Sequence, residues 1–451
     1  MKKILITIVL LIAVNAFSQT KKDSTKTAKT SYKKKVLDNV EVNFLYSNYL
    51  QNGNHAAVTG GTGDENLTDN TPAILISIPL NDDDVLSIDF GVDITTSAST
   101  DQINPFGVST TSSGGDDDKV GDTSGKSSQI IATSASGGGG GDDQPLHTRA
   151  HGVIGYNHTS DNRSFTWGVD GTFSSEKGYN SVGFGAQLRK SFNHENTEFN
   201  LSSKAYFDNI NLIYPGEFRA SEGLAPSVGF KLLDITHRNT ISASLSFSQI
   251  LTKRLQISLI ADIIKQDGLL STNYQRVYFK DKPIVAVNNF NLAHDIERLP
   301  NTRTKHPFGA RLNYYVNDYV VLRTFYRHYT DDWGVSADTY DVQVPIKLSE
   351  SFTIFPMYRY HSQQQARYFA PYRAHLSTET FYTSDYDLST FNSSQYGLGL
   401  TIAPPLGIFK LDTSNDGQKI RFKSFDLRYN YYSRSDGLAA NILSLSAKFT
   451  F

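Results

Sequence analysis

LAANILSLSAKFTF, residues Leu438 to Phe451, is the stretch on which the fold turns. Leu443, Leu445, Ala447, Phe449 and Phe451 fall on one face of a strand, and Ser444, Ser446, Lys448 and Thr450 on the other. A soluble protein seldom finishes on an exposed aromatic. Alternation that runs out on a terminal Phe suits the closing strand of an outer-membrane β-barrel, apolar towards lipid and polar towards the lumen. On this reading Phe451 is also the signal by which the barrel-assembly machinery recognises the last strand.

The same period of two extends back through the chain. Ile241, Ala243, Leu245 and Phe247 alternate with serines, and Leu86, Ile88, Phe90, Val92 and Ile94 alternate with Ser87, Asp89, Gly91 and Asp93. Val182, Phe184, Ala186 and Leu188 repeat the pattern, and Val40, Val42, Phe44 and Tyr46 open it. The expected fold is all-β: a transmembrane antiparallel up-and-down barrel of about sixteen strands, with Val40–Tyr46 sealing against the last strand. Long connections (51–71, 99–147, 209–237, 267–301, 364–393) alternate with short turns, as outer loops and periplasmic turns do. The stretch 403–419 breaks this order. It is either an extended periplasmic hairpin or a sign that the count is out by a pair. A soluble β-sandwich would have strands of about five or six residues. These run to ten or more, the length of a tilted bilayer span.

Composition agrees. The chain has 451 residues, 25 Tyr, 27 Phe, no Cys and a net charge of −2. The aromatics suit interfacial girdles, and a mean hydropathy of −0.36 suits a barrel, in which every second residue meets water. Without Cys there are no disulfides, thiolate metal sites or thiol nucleophiles. Near-neutral charge gives no basic stripe for nucleic acid. At the N-terminus Lys2 and Lys3 precede the apolar run Ile4–Val14, with Ala16 and Ser18 before Gln19, as in a cleaved secretory signal. The expected division is a signal peptide over 1–18, a flexible basic leader over 19–37 and the barrel over 38–451, placed in a Gram-negative outer membrane.

Several residues are candidates for chemistry. Parity places Asp89, Asp93 and Asp170 in the lumen on early strands, and Arg311, Arg323, Arg327, Arg359 and Arg428 in the lumen on late ones, with Lys347 and Lys448. Two such walls would set a transverse field across the bore and select solutes. Equally, the charges would pair with one another or with inserted loops and satisfy a plugged interior. Asp93 and Asp101 at the outer end of one strand, with Asp64 and Asp69 from the preceding loop, could hold a structural Ca²⁺ or simply pin that loop. The Gly/Asp-rich loop 99–147 lacks EF-hand order. His147 and His151 lie about 13 Å apart on a strand, too far for one metal. No G-x-S-x-G elbow supports a hydrolase, so no enzymatic activity and no cofactor is expected.

The segments Val58-Thr59-Gly60-Gly61, Leu67-Thr68-Asp69, Thr95-Thr96-Ser97-Ala98-Ser99-Thr100-Asp101 and Thr148-Arg149-Ala150-His151 carry a family pattern. The chain resembles a family of unknown function, widespread in Bacteroidota and other Gram-negative bacteria, whose members look like whole-length outer-membrane barrels. Members tend to lie beside genes for a periplasmic flavin-attaching enzyme, a small lipoprotein and thioredoxin-like proteins. That implies a link to envelope redox and a periplasmic or lipoprotein partner. The resemblance supplies no active-site residues. Three functions stay open: a pore for small polar solutes or ions, a plugged barrel acting as scaffold, and an envelope hydrolase.

Overall fold

The barrel closes at the expected seam. In the computed structural model, β1 (Glu41–Asn52) pairs antiparallel with the last strand, β16 (Ala439–Thr450), setting Val42 opposite Phe449 and Phe44 opposite Ala447. The Phe44 and Phe449 rings meet edge to face at 5.7 Å, and Phe451 donates its N–H to the Val40 carbonyl at 3.0 Å. The structure describes residues 35–97, 111–113, 135–137, 147–218, 232–287, 290–412 and 419–451. The proposed signal peptide, most of the leader, most of loop 99–147 and Asp101 lie outside them.

Between the two seam strands run β2 (Leu67–Pro79), β3 (Asp84–Ser97), β4 (His147–Thr159), β5 (Phe165–Glu176), β6 (Tyr179–Phe192) and β7 (Thr197–Ile210). β8 (His237–Thr252) and β9 (Leu255–Gly268) follow. β10 has two parts, Thr302–Lys305 and Phe308–Tyr315, broken at Pro307, which has no N–H for the ladder. Next come β11 (Val321–Thr330), β12 (Ser336–Gln343, continued by Ile346–Lys347), β13 (Phe352–Gln364), β14 (Phe391–Ile402) and β15 (Lys419–Arg434). Each pairs antiparallel with the next, giving a closed ring of sixteen strands and no free edge. Closure is what lipid requires, because it leaves no backbone N–H or C=O unpaired along an edge.

In the stretch 403–419 the described residues form an added arm paired with the start of β15, and the strand count stands. Phe409–Asp412 pairs with the start of β15, setting Phe409 opposite Phe422, and Gly407, at φ +84°, closes the turn that leads into this arm from β14. The Phe409 and Phe422 rings lie 5.2 Å apart, and Phe422 stacks on Phe449 at 4.8 Å. The arm thus prolongs the aromatic surface of the seam.

Outward residues form a continuous apolar belt. Phe90, Ile154, Val169, Phe184, Leu201, Leu245, Ile263, Tyr396 and Leu398 are all exposed, Phe184 by 61 %. On a soluble protein such a belt would drive aggregation, whereas against acyl chains it is the surface that seats a barrel in the bilayer. Aromatic pairs also occur on this face: Tyr156 lies 5.6 Å from Trp167, and Tyr326 lies 5.1 Å from Tyr340.

Candidate functional site

Carboxylates on β3 and β5 and arginines on β10 to β15 share the parity opposite to that of the exposed apolar residues. On β3, Asp93 is buried between Arg149 and His151 of β4, at 3.9 Å and 3.6 Å. Arg149 is held in turn by Ser174 Oγ of β5, which accepts from its Nε at 2.7 Å. Asp170 of β5 leans over Gly185 of β6, where a Cβ would collide with its carboxylate. Eight strands from β3 around the ring stands β11, which carries Arg323 and Arg327. Arg311 of β10 lies over the Phe325 ring at 5.4 Å, and Arg327 over Tyr329 at 5.9 Å. Arg359 pairs with Asp341 at 3.2 Å, and Arg323 donates to Gln343 Oε1 at 3.4 Å. Arg428 of β15 lies over Phe355 at 4.7 Å, a ring that fits because Gly399 opposite has no Cβ. Lys448 belongs elsewhere: at the seam it pairs with Glu41 at 2.8 Å.

Strand pairing keeps these eight charges on the parity opposite to that of the exposed apolar residues, three on β3 and β5 and five on β10 to β15. Parity did not disclose the partners. Arg149 offsets Asp93, Asp341 offsets Arg359, and aromatic rings support three of the arginines.

Above the bore, the long connections fold into a cap with its own core. Arg276, in the connection after β9, is fully buried. Its Nε and Nη2 donate to Glu217 at 2.7 Å and 3.0 Å, and its Nη1 donates to the Val58 carbonyl at 3.1 Å. One guanidinium thus fastens the β1–β2, β7–β8 and β9–β10 connections together. Leu299, Trp333, Val335, Ala366, Phe369 and Leu388 form an apolar cluster that adds the β11–β12 and β13–β14 connections. His55 stacks on Tyr386 at 3.7 Å, and Arg434, at the outer end of β15, is clamped by Asp387 and Asp436.

A second joint is built from carboxyl groups. Glu297 accepts from the Thr272 N–H at 2.6 Å and from the Thr383 hydroxyl. Asp385 accepts from Gln275 Nε2 at 3.1 Å and from the Asp387 N–H at 2.9 Å. Burial, and then the charge of Asp385, push Glu297 from the ordinary 4.5 to about 8. Burial, and then the charge of Asp387, push Asp385 from 3.8 to about 7. Glu65 beside them rises to about 7 through burial and Asp387, with Arg434 opposing the shift. In the folded cap these groups bind protons more tightly than in the open one. Cap stability is therefore greatest at acidic pH and falls as pH rises towards about 7 and 8. Trp333, buried in the cap, reports this directly in a Trp167→Phe background. Its emission should shift to the red between pH 6 and pH 9, and a flat profile would show that the joint does not titrate.

The proposed cation site does not assemble among the described residues. Asp64 accepts from the Asn66 N–H at 3.0 Å and its Nδ2 at 3.1 Å, whereas Asp69 accepts from Thr95 at 2.9 Å and Thr71 at 3.2 Å. Asp93 is engaged by Arg149 and His151. These contacts pin the loop and the strand end, and no group of three potential ligands occurs among the described residues. Asp101 lies outside them.

Residues 7–442 match the family described as "Protein of unknown function (DUF3570)". The chain belongs to that family. No curated protein matches it. Among solved structures, this DUF3570 protein is similar to a bacterial polysaccharide outer membrane secretin, at 10 % identity over 91 % of this chain and 98 % of that one, with a TM-score of 0.42. It is also similar to OpdK from Pseudomonas aeruginosa, at 7 % identity over 91 % and 99 % of the chains, with a TM-score of 0.36. Pseudomonas aeruginosa OccK2 (OpdF), in complex with glucuronate, gives 9 % identity over 91 % and 96 %, with a TM-score of 0.37.

Proposed function

We propose that this DUF3570 protein is a gated outer-membrane channel for small polar solutes, with the folded outer loops controlling entry. One observation carries the reading: below the cap, the inward wall from β10 to β15 presents more cations than carboxylates. Arg311, Arg323, Arg327, Arg359 and Arg428 face Asp341 and Asp426 there. A charged, water-filled bore is the ordinary use of such a wall, whereas a dry plug would have to neutralise it. No step of this function needs a catalytic residue.

The cap's own buried core supports a second reading, a sealed barrel that serves as scaffold for a periplasmic or lipoprotein partner. Planar-bilayer recording separates the two. A channel gives stepwise current that increases when the cap is loosened. A barrel that stays silent with the cap intact and with it loosened is a scaffold, and mild-detergent extraction should then bring down a stoichiometric partner.

A further inference from the structure

The cap buries an imidazole between two acceptors. His375, in the β13–β14 connection, is only 3 % exposed. Its Nε2 lies 2.8 Å from the Thr383 carbonyl, and its Nδ1 lies 2.6 Å from Glu379 Oε2. A neutral imidazole has a single N–H, so the ring satisfies a carbonyl and a carboxylate together only when it carries both protons. His294 is arranged otherwise: its Nδ1 accepts from the Phe279 N–H at 2.9 Å and its Nε2 meets the Pro283 carbonyl at 3.0 Å, a pair that the neutral ring satisfies.

The turn that His375 closes carries two fastenings to the connection after β9. The His375 carbonyl accepts from the Lys280 N–H at 2.8 Å, and Asp281 accepts from the Ser377 N–H at 2.9 Å and its hydroxyl at 2.6 Å. Glu379 Oε1 accepts from the Leu376 N–H at 3.0 Å and holds the turn itself. Several charged groups surround the ring. Lys280 and Lys282 flank Asp281, and Arg373 donates to the Lys282 carbonyl at 3.4 Å. Tyr382, 5.9 Å from the ring, donates to Asp295 at 2.6 Å, and Arg298 holds Asp295 in turn at 2.9 Å. Thr383, whose carbonyl meets His375, gives its hydroxyl to Glu297. We propose that His375 is a proton-operated latch on the cap, locking 375–383 against 280–281 as the imidazolium and releasing that segment as the neutral ring. Loss of the proton leaves the Nδ1 lone pair against a carboxylate, two acceptors with no hydrogen between them. Histidine is the side chain that changes charge between about pH 5 and 8, and the closed latch holds a proton that the open one gives up, so raising the pH opens it. Its effect on solute entry rests on the channel reading, whereas the latch itself is measurable without any current.

The test is hydrogen exchange by mass spectrometry on the full chain in detergent, at about pH 5.5 and about pH 8, corrected for the intrinsic pH dependence of exchange. Protection over 374–383 should fall about tenfold or more at the higher pH. Glu379→Gln supplies an amide that donates to the neutral ring or accepts from the charged one, and its protection should differ less than about twofold between the two pH values. Glutamine has the shape of glutamate and the site is partly open to water, so this variant should assemble. Glu297→Gln removes the neighbouring carboxyl and should keep the pH response of the segment. A response unchanged in Glu379→Gln, absent from the wild type, or abolished by Glu297→Gln would overturn the latch. A latch that opens by exchange without altering current would count against the channel and not against the latch.

Discussion

Replacing Glu217 with Ala should unfasten the outer cap and leave the barrel closed. Arg276 is fully buried, and both oxygens of Glu217 meet it. Removing one member of a buried pair strands the other in a low-dielectric interior, typically at a cost of about 3–5 kcal/mol. The sixteen-strand ladder does not depend on that pair, so the loss falls on the loops. Hydrogen exchange followed by mass spectrometry should show the segments 269–287 and 365–388 losing protection while β1 to β16 keep theirs. The double substitution Glu217→Met with Arg276→Met removes both charges at similar volume and should restore most of the protection. Unchanged protection in Glu217→Ala would mean that the apolar cluster around Trp333 holds the cap without the ion pair.

The second large effect concerns the belt. Phe184 lies near the middle of β6 on the outward face, and Ser202 lies beside that strand, on β7, facing inward. Phe184→Arg places a charge against acyl chains, at a cost of about 2–4 kcal/mol near the bilayer midplane. Ser202→Arg adds the same side chain to the polar lumen and should cost far less. Urea titration of the two variants folded into lipid vesicles reads the difference. Equal destabilisation would contradict the assignment of faces.

How much of this was legible in the sequence follows from the range of each interaction. Period two assigns faces residue by residue, so strand number, seam and inward charges all follow from local pattern. Counting alone gives Asp93 and Arg428 the parity opposite to that of the apolar belt. The stretch 403–419 remained ambiguous because pattern does not reveal an added arm, whereas the pairing of Phe409 with Phe422 does. The cap left no periodic trace. Arg276 meets Glu217 across 59 residues and Val58 across 218, and such contacts depend on where the barrel delivers the loop ends. One compositional signal was present. The connection after β9 carries Tyr274, Tyr278 and Phe279, residues that a solvated loop has no reason to keep, whereas loop 99–147 is rich in Gly, Ser and Asp. The carboxyl joint of Glu297 and Asp385 was equally hidden, since neither residue shows in sequence that it will be buried.

The most direct measurement is single-channel recording of the wild-type chain beside Glu217→Ala in the same planar bilayer. The account predicts discrete conductance in both, with the variant open for a larger fraction of the time because its cap no longer covers the mouth. A variant whose loops exchange freely yet which passes no current would contradict it: the bore itself would then be closed, and the arginine wall would line a plug.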